Sequence, residues 1–296
     1  MLVFMNLQQY RILALYYAKQ NGWEKTNMGL NNTAELNADG AVLLRTDQGG
    51  IANLTLNRPN AYNALSEELL AALQNELDDI SNDSSIRVVV LEGSGSAFCA
   101  GHDLKQMRAN PSREYYDSLF NTCSQFMLTV MRIPQPVIAK VHGIATAAGC
   151  QLVGTCDLAI ASDEAKFATS GINYGLFCST PAVAVSRNIH RKKAAELLFT
   201  GEFIDSKTAE SLGLINKSVA VENLDEEVMR MAQSIIRKSA VAVATGKRML
   251  YRQMEMGIDD AYKFAAETMA CNMMAFDAGE GIDAFIEKRP ASWKHV

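Results

Sequence analysis

From residue 41 onward the apolar positions change period in a repeating order. The run AVLLRTDQGGIANLTLN is two β-rich stretches broken at Gly49-Gly50, which predicts a hairpin. Ser66 then stands where a helix N-cap belongs, and Leu69, Leu73 and Leu77 recur at four-residue spacing along one face. IRVVVLEG is continuously apolar but too short for a helix, so it predicts a strand buried on both faces. A polar helix around residues 111–130 follows, and Pro134 and Pro136 break it before a second buried strand, VIAKVHG. The order then repeats, with ATAAGCQLVGTC as a helix of small residues, DLAIAS as a strand and KFATS as an extended piece. Strand, strand, helix units at this spacing predict stacked ββα turns. Beyond Arg191 the pattern becomes amphipathic helix, in RKKAAELLFTG with its glycine stop, in SKTAESLGL, and over most of residues 224–290.

The first forty residues break this regularity. MLVFMNLQQYRILALYYAKQ is apolar, carries Arg11 and Lys19 without an acid, and lacks a compact apolar core or a small-residue cleavage site. It reads as a surface helix or leader joined by the Asn-rich NMGLNNTAELN, with an organellar transit peptide as the alternative. Three regions are therefore expected: an N-terminal extension over 1–40, an α/β core over 41–200 and a helical region over 201–296.

Composition narrows the classes without choosing among them. With 48% hydrophobic and 21% charged residues the chain matches globular proteins, and no apolar run approaches the ~20 residues of a membrane span. A formal charge of -5 without long like-charge blocks gives no basis for nucleic-acid binding, so an anionic ligand must be met by local features. The six cysteines are scattered, with no CxxC and no histidine at zinc-ligand spacing, which implies reduced thiols inside a cell and no metal. A cytoplasmic location is expected, or the mitochondrial matrix if the N-terminal segment is a transit peptide.

Chemistry concentrates in SGSAFCAGHDLKQM (94–107) and VHGIATAAGCQLVGTCDLAIAS (141–162). In each, a strand runs into small residues that open a turn or helix, leaving backbone amides that can approach one oxygen closely. Either glycine, Gly101 or Gly149, could alone serve only a turn. With LNRPNAYNAL (56–65) and GEGIDAFIEKR (279–289), the two segments resemble the enoyl-CoA hydratase/isomerase family, the crotonase superfamily, over about residues 41–290. The resemblance implies an α/β fold, a crotonase-like ββα spiral core with a C-terminal helical trimerisation region, assembling as a homotrimer or dimer of trimers. It also implies a coenzyme A thioester as ligand, no covalently bound cofactor, and a role in fatty-acid or acyl-CoA metabolism. The thioester carbonyl would sit in an oxyanion hole formed by the amides of Ala100 and Ala148, the latter followed by Gly149 at a helix start. Arg58, Ala61, Gly101, Asp103, Leu104 and Lys105 would hold the nucleotide end, with Phe285 and Lys288 reaching it from the last helix. The bland readings are a loop-fixing Asp103 and solvated Lys105 and Lys288.

The departures from the family matter as much. Its hydratases carry two glutamates that position and deprotonate water, and the matching positions here are Gln151 and Gly171. Glutamine can orient water but shuttles no proton, and glycine does neither. GHDLK, ATAAGCQL and GLFCSTP are similar to one branch, the enoyl-CoA hydratase domain-containing proteins, which shares these departures. His102 is the candidate replacement acid or base by its ordinary pKa range. Glu114, Tyr116 and Asp117 read as solvated or structural, and Cys178 and Ser179 lack a base to activate them. Two functions stay open: an atypical lyase or isomerase acting on acyl-CoA, or a non-catalytic acyl-CoA binder. A dinucleotide fingerprint at VVVLEGSGSAF fails because Phe98 replaces its third glycine, and no GxSxG elbow is present.

Overall fold

A computed structural model describes residues 40–296; the expectation for the N-terminal extension lies outside the described residues. Strands β1 (Leu43–Gln48) and β2 (Ile51–Leu56) form the hairpin, with Gln48 opposite Ile51. Gly49 and Gly50 both adopt positive φ, as the tight two-residue turn requires. Helix α1 (Glu67–Ser81) is capped by Ser66, whose Oγ accepts the Leu69 N–H at 3.2 Å, and it buries Leu69, Leu70, Leu73, Leu77 and Ile80. Then follow β3 (Val88–Gly93), β4 (Ala97–Cys99), α2 (Leu104–Ala109), α3 (Arg113–Arg132), β5 (Val137–Val141) and β6 (Ile144–Thr146). After them come α4 (Ala148–Thr155), β7 (Leu158–Ser162), β8 (Lys166–Ala168), α5 (Ser179–Asn188), α6 (Arg191–Thr200) and β9 (Ile204–Asp205). The chain ends through α7 (Ser206–Leu212), β10 (Lys217–Val219), α8 (Leu224–Ile236), α9 (Ala240–Gln253), α10 (Ile258–Met273) and α11 (Phe276–Glu287).

The strands divide between two sheets. One runs β1-β2-β3-β5-β7-β10, the other β4-β6-β8-β9, and all pairs are parallel except β1/β2 and β8/β9. Each turn of the chain gives one strand to each sheet, β3 with β4, β5 with β6, β7 with β8, and this is the expected ββα spiral. The sheets do not stop at residue 200: β10 closes one edge of the larger sheet against β7, and β9 pairs with β8.

Burial on both faces accounts for the unbroken apolar strands. On one side Leu54, Val89, Leu91 and Val137 join the leucine stripe of α1, Phe126 of α3 and Leu152 of α4. On the other, Ile51, Val88, Val90, Ile138 and Ile160 meet Leu224, Val228 and Ala232 of α8. Helix α9 is tied in by Lys247, whose buried Nζ reaches the carbonyls of Val130 (2.8 Å) and Gln135 (2.9 Å) and Oδ2 of Asp157 (2.7 Å). Asp157 also accepts the Val137 N–H at 2.7 Å and the Tyr251 hydroxyl at 2.9 Å.

Candidate functional site

The ends of β4 and β6 run side by side, and the residues after each decide what the site offers. Two glycines set the distance between them. A Cβ on Gly149 would stand 2.0 Å from the Cys99 carbonyl oxygen, and one on Gly101 would stand 2.8 Å from Ala147 Cβ and 3.1 Å from the Ala148 nitrogen. Only glycine lets the backbone after β4 touch the start of α4, and Gly101 also holds φ at 95°. Ala147, the residue before α4, adopts φ 51° and ψ -119°, a conformation costly for alanine, and its N–H is fixed to the Ala168 carbonyl at 3.0 Å. This strained turn leaves the Ala148 N–H as a first-turn helix amide without a hydrogen-bond partner among the described residues.

The second amide differs from the sequence expectation. The Ala100 N–H donates to the Tyr62 carbonyl at 3.0 Å, so it is already engaged and not free to polarise a ligand. Two residues on, Asp103 N–H donates to the Leu65 carbonyl at 3.2 Å and Leu65 N–H donates to the Gly101 carbonyl at 2.7 Å, a parallel bridge between Leu65 and His102. In such a bridge the central residue turns its own N–H away from the partner strand. The His102 N–H accordingly has no partner among the described residues, and it directly follows the glycine that packs on Ala148. The free pair is His102 and Ala148, and Ala100 is corrected to a structural donor.

The segment 58–65, expected to meet a nucleotide, first of all holds this loop in place. Tyr62 and Asn63 are consecutive left-handed residues, which aims the Tyr62 carbonyl at Ala100. Buried Asn63 donates to the carbonyls of Ser94 (2.8 Å) and Ala97 (2.7 Å) and accepts the Arg58 N–H at 2.9 Å. Arg58 pairs with Asp103 at 2.8 Å and also reaches the Ala64 carbonyl. Asp103 caps α2 through the amides of Lys105 and Gln106. Burial alone would raise the Asp103 carboxyl, but the Arg58 guanidinium and these amides hold it below its ordinary value. Ala61 ends the short turn Pro59–Ala61, and Leu104 and Lys105 are exposed at the start of α2. Phe285 and Lys288 lie at the exposed end of α11, whose packing partners are α9 and α10; the structure does not join them to this loop within one chain.

His102 is poorly suited to proton transfer at neutral pH. Its ring lies edge-on to Phe120 at 5.3 Å, and neither ring nitrogen, both buried, has a hydrogen-bond partner. Burial pushes its pKa down to about 4, and the nearby Leu65 carbonyl offsets little of this because it makes no acceptable hydrogen bond. The folded-state value thus lies below the ordinary 6.5, so the unfolded chain binds this proton more readily. Stability should fall as pH drops from about 6.5 and level off near 4, by roughly 3 kcal/mol from this group. His142, also lowered by burial, acts in the same direction. Urea titrations between pH 7 and 5 should show a shallower slope for His102→Phe than for the parent chain; equal slopes would contradict this assignment.

Gln151 lies one turn after Ala148 on α4, is only 4% exposed, and its Oε1 is buried without a partner. Gly171 sits in the turn Ser170–Tyr174, where an added Cβ would stand 2.6 Å from the Leu176 carbonyl and 2.8 Å from Cys178 Sγ. A side chain at 171 is therefore excluded by backbone as well as by a thiol. Gly171→Ala should cost about 1–3 kcal/mol by overpacking, read as a lower urea midpoint, and Cys178→Ala should not rescue it because the Leu176 carbonyl remains. Burial raises the Cys178 thiol, so it is not an activated nucleophile. Ser179 begins α5, Asp117 pairs with Arg113 at 2.8 Å, Tyr116 donates to the Met107 carbonyl at 3.1 Å, and Glu114 is exposed. Among the described residues no group of histidine, cysteine or acidic side chains could hold a metal. Two clefts lie elsewhere, one between α6 and α7 and one beside Lys140 and α8.

Comparison with known proteins agrees with this architecture. The model of the enoyl-CoA hydratase/isomerase family matches residues 46–296. Enoyl-CoA hydratase domain-containing protein 3, mitochondrial, of Xenopus laevis is 43% identical over 266 residues, covering 90% of each chain. Its Homo sapiens counterpart is 43% identical over 246 residues, covering 83% of this chain and 81% of the relative. Among solved structures, an enoyl-CoA hydratase of Mycobacterium smegmatis superposes with a TM-score of 0.85 at 57% identity, covering 86% of this chain and 99% of that one. The human domain-containing protein 3 gives 0.83 at 41% identity, covering 86% and 100%.

Proposed function

Because the chain belongs to the enoyl-CoA hydratase/isomerase family, we propose that it binds an acyl-CoA thioester and polarises its carbonyl with the amides of His102 and Ala148. The observation that supports this best is the pair of unengaged N–H groups on two segments that Gly101 and Gly149 bring into contact. Two such donors in a fixed position stabilise the enolate that forms when charge moves onto the carbonyl oxygen, each worth about 3–4 kcal/mol in comparable sites. The chemistry beyond polarisation is weak. Gln151 carries no exchangeable charge, Gly171 has no side chain, and His102, its ring nitrogens buried, stays neutral. Without general acid or base, hydration should run a hundred- to ten-thousand-fold below a two-carboxylate hydratase.

The chain then acts as a slow lyase or isomerase on acyl-CoA, or as a binder of it. Measuring crotonyl-CoA hydration beside butyryl-CoA binding tests this: binding with very slow hydration is expected. Rapid hydration would overturn the role given to Gln151 and Gly171, and failure to bind either thioester would overturn the reading altogether.

Arg58, Ala61, Gly101, Asp103, Leu104 and Lys105 stay proposed for the nucleotide end. Phe285 and Lys288 serve it only if supplied from a neighbouring copy. A homotrimer or dimer of trimers suits the exposed apolar side chains of α9 to α11, among them Leu250, Tyr262, Met269 and Phe285. The cytoplasmic expectation finds no support in the relatives, whose names carry the word mitochondrial; the mitochondrial alternative is the one we retain.

A further inference from the structure

We propose that Trp293, in the tail that follows α11, is a positioning residue for the nucleotide end of the ligand: it holds α11 so that Phe285 and Lys288 are presented to a neighbouring copy. The inference rests on the acyl-CoA reading above and adds the device that sets those two side chains.

The last residues form no helix or strand, yet they are tied along α11. Lys288 ends the helix in the left-handed conformation, φ 55°, and the chain reverses there. Arg289 then grips Glu280 with two nitrogens, at 2.6 and 2.9 Å, and Glu280 also accepts the Ser292 N–H at 2.7 Å. About one turn nearer the helix start, Asp277 accepts the N–H groups of Lys294 at 2.8 Å and His295 at 3.0 Å. The tail therefore runs back along α11 as a strap, from its end to its first turn.

The same strap is fastened to the junction of α8 and α9. Trp293 Nε1–H donates to the Arg237 carbonyl at 2.8 Å, the Ala240 N–H donates to His295 Nδ1 at 3.2 Å, and the Ser239 hydroxyl donates to Asp277 at 2.6 Å. Arg87, just before β3, secures that junction through the Lys238 carbonyl at 2.9 Å. Trp293 also lies on α11 itself, where a Cβ at Gly281 would stand 3.1 Å from its ring. One indole thus meets the helix with its ring and the core with its N–H.

The first turn of α11 depends on this strap. Asp277 is 3% exposed, and stripping a buried carboxylate of its donors is strongly unfavourable. A loosened tail therefore makes α11 shift until Asp277 reaches water. Phe285, 84% exposed, and Lys288, at the reversal itself, move with the helix. Neither is held by packing of its own, so the strap sets where both point.

Calorimetric titration of the full chain, Trp293→Ala, Phe285→Ala and the double variant with CoA and with butyryl-CoA tests the proposal. Trp293→Ala should weaken both ligands by the same factor, about tenfold, because only their shared nucleotide end is affected. The double variant should bind no more weakly than Phe285→Ala alone, and Trp293→Phe, which keeps a ring on Gly281, should recover part of the affinity. Parental affinity in Trp293→Ala, losses that multiply in the double variant, or a loss confined to butyryl-CoA would each overturn the proposal. So would sedimentation showing that Trp293→Ala changes the assembly state, since the loss would then come from assembly. A parent chain that binds neither ligand would instead overturn the acyl-CoA reading beneath it. Should Trp293→Ala fail to fold, Trp293→Phe combined with Phe285→Ala supplies the same cycle, and multiplied losses there overturn the proposal.

Discussion

Gly149→Ala should lose at least about 3 kcal/mol of stability and bind butyryl-CoA about a hundredfold more weakly. The added methyl has nowhere to go, because its ideal position is 2.0 Å from a backbone oxygen, that of Cys99. A flexible side chain could swing aside, whereas β4 is held on its other edge through β6, with Ala97 beside Ile144 and Cys99 beside Ala145. Relief therefore requires α4 to move as a unit away from β4, carrying the Ala148 amide away from Gly101 and His102. The two losses should appear together in thermal unfolding and calorimetric titration. A variant that loses stability but binds the thioester with parental affinity would detach the amides from ligand binding.

The next largest effect is expected far from the loop. Lys247→Met should cost about 3–5 kcal/mol, because it leaves the Asp157 carboxylate with an unmatched charge in a mostly buried setting and orphans two carbonyls. Burial lowers the Lys247 amine, and Asp157 opposes that tendency. Asp157 also holds the first amide of β5 and the Tyr251 hydroxyl, so it joins β5, β7 and α9 at one point. Lys247→Met combined with Asp157→Asn should lose clearly less than the two single changes added together, since the isolated charge is gone while Asn still accepts hydrogen bonds. Urea unfolding of the four proteins measures this, and strict additivity would contradict the ion-pair account.

Much of the frame was legible in the residues because its signals are long. Strands β2, β3, β5 and β7 are five or six residues long and mostly apolar, and the leucine stripe of α1 begins at a visible Ser66 cap. Strands β4, β6 and β8 have three residues each, too few to display a period, so the second sheet emerges only when the spiral stacks them. Strand β10 is equally short and polar at its start, which hid the continuation of the sheet beyond residue 200.

At the site, the glycines were readable but the amide direction was not. Which N–H is free after β4 depends on Tyr62 and Leu65, brought in from a distant stretch by two consecutive left-handed residues, Tyr62 and Asn63. Left-handed Gly101 then breaks the simple alternation of amides along the strand. A pattern of small residues marks the neighbourhood, and the long-range hydrogen bonds decide between Ala100 and His102. The steric closure around Gly171 was hidden for the same reason, since Leu176 and Cys178 return to it only through the turn that follows.

A crystal structure of the chain with butyryl-CoA measures the central claim most directly. The account predicts the thioester oxygen at about 2.7–3.1 Å from the nitrogens of both His102 and Ala148, with the Ala100 N–H still on the Tyr62 carbonyl. A thioester oxygen bound to only one of the two amides, or directed toward other groups, would contradict it.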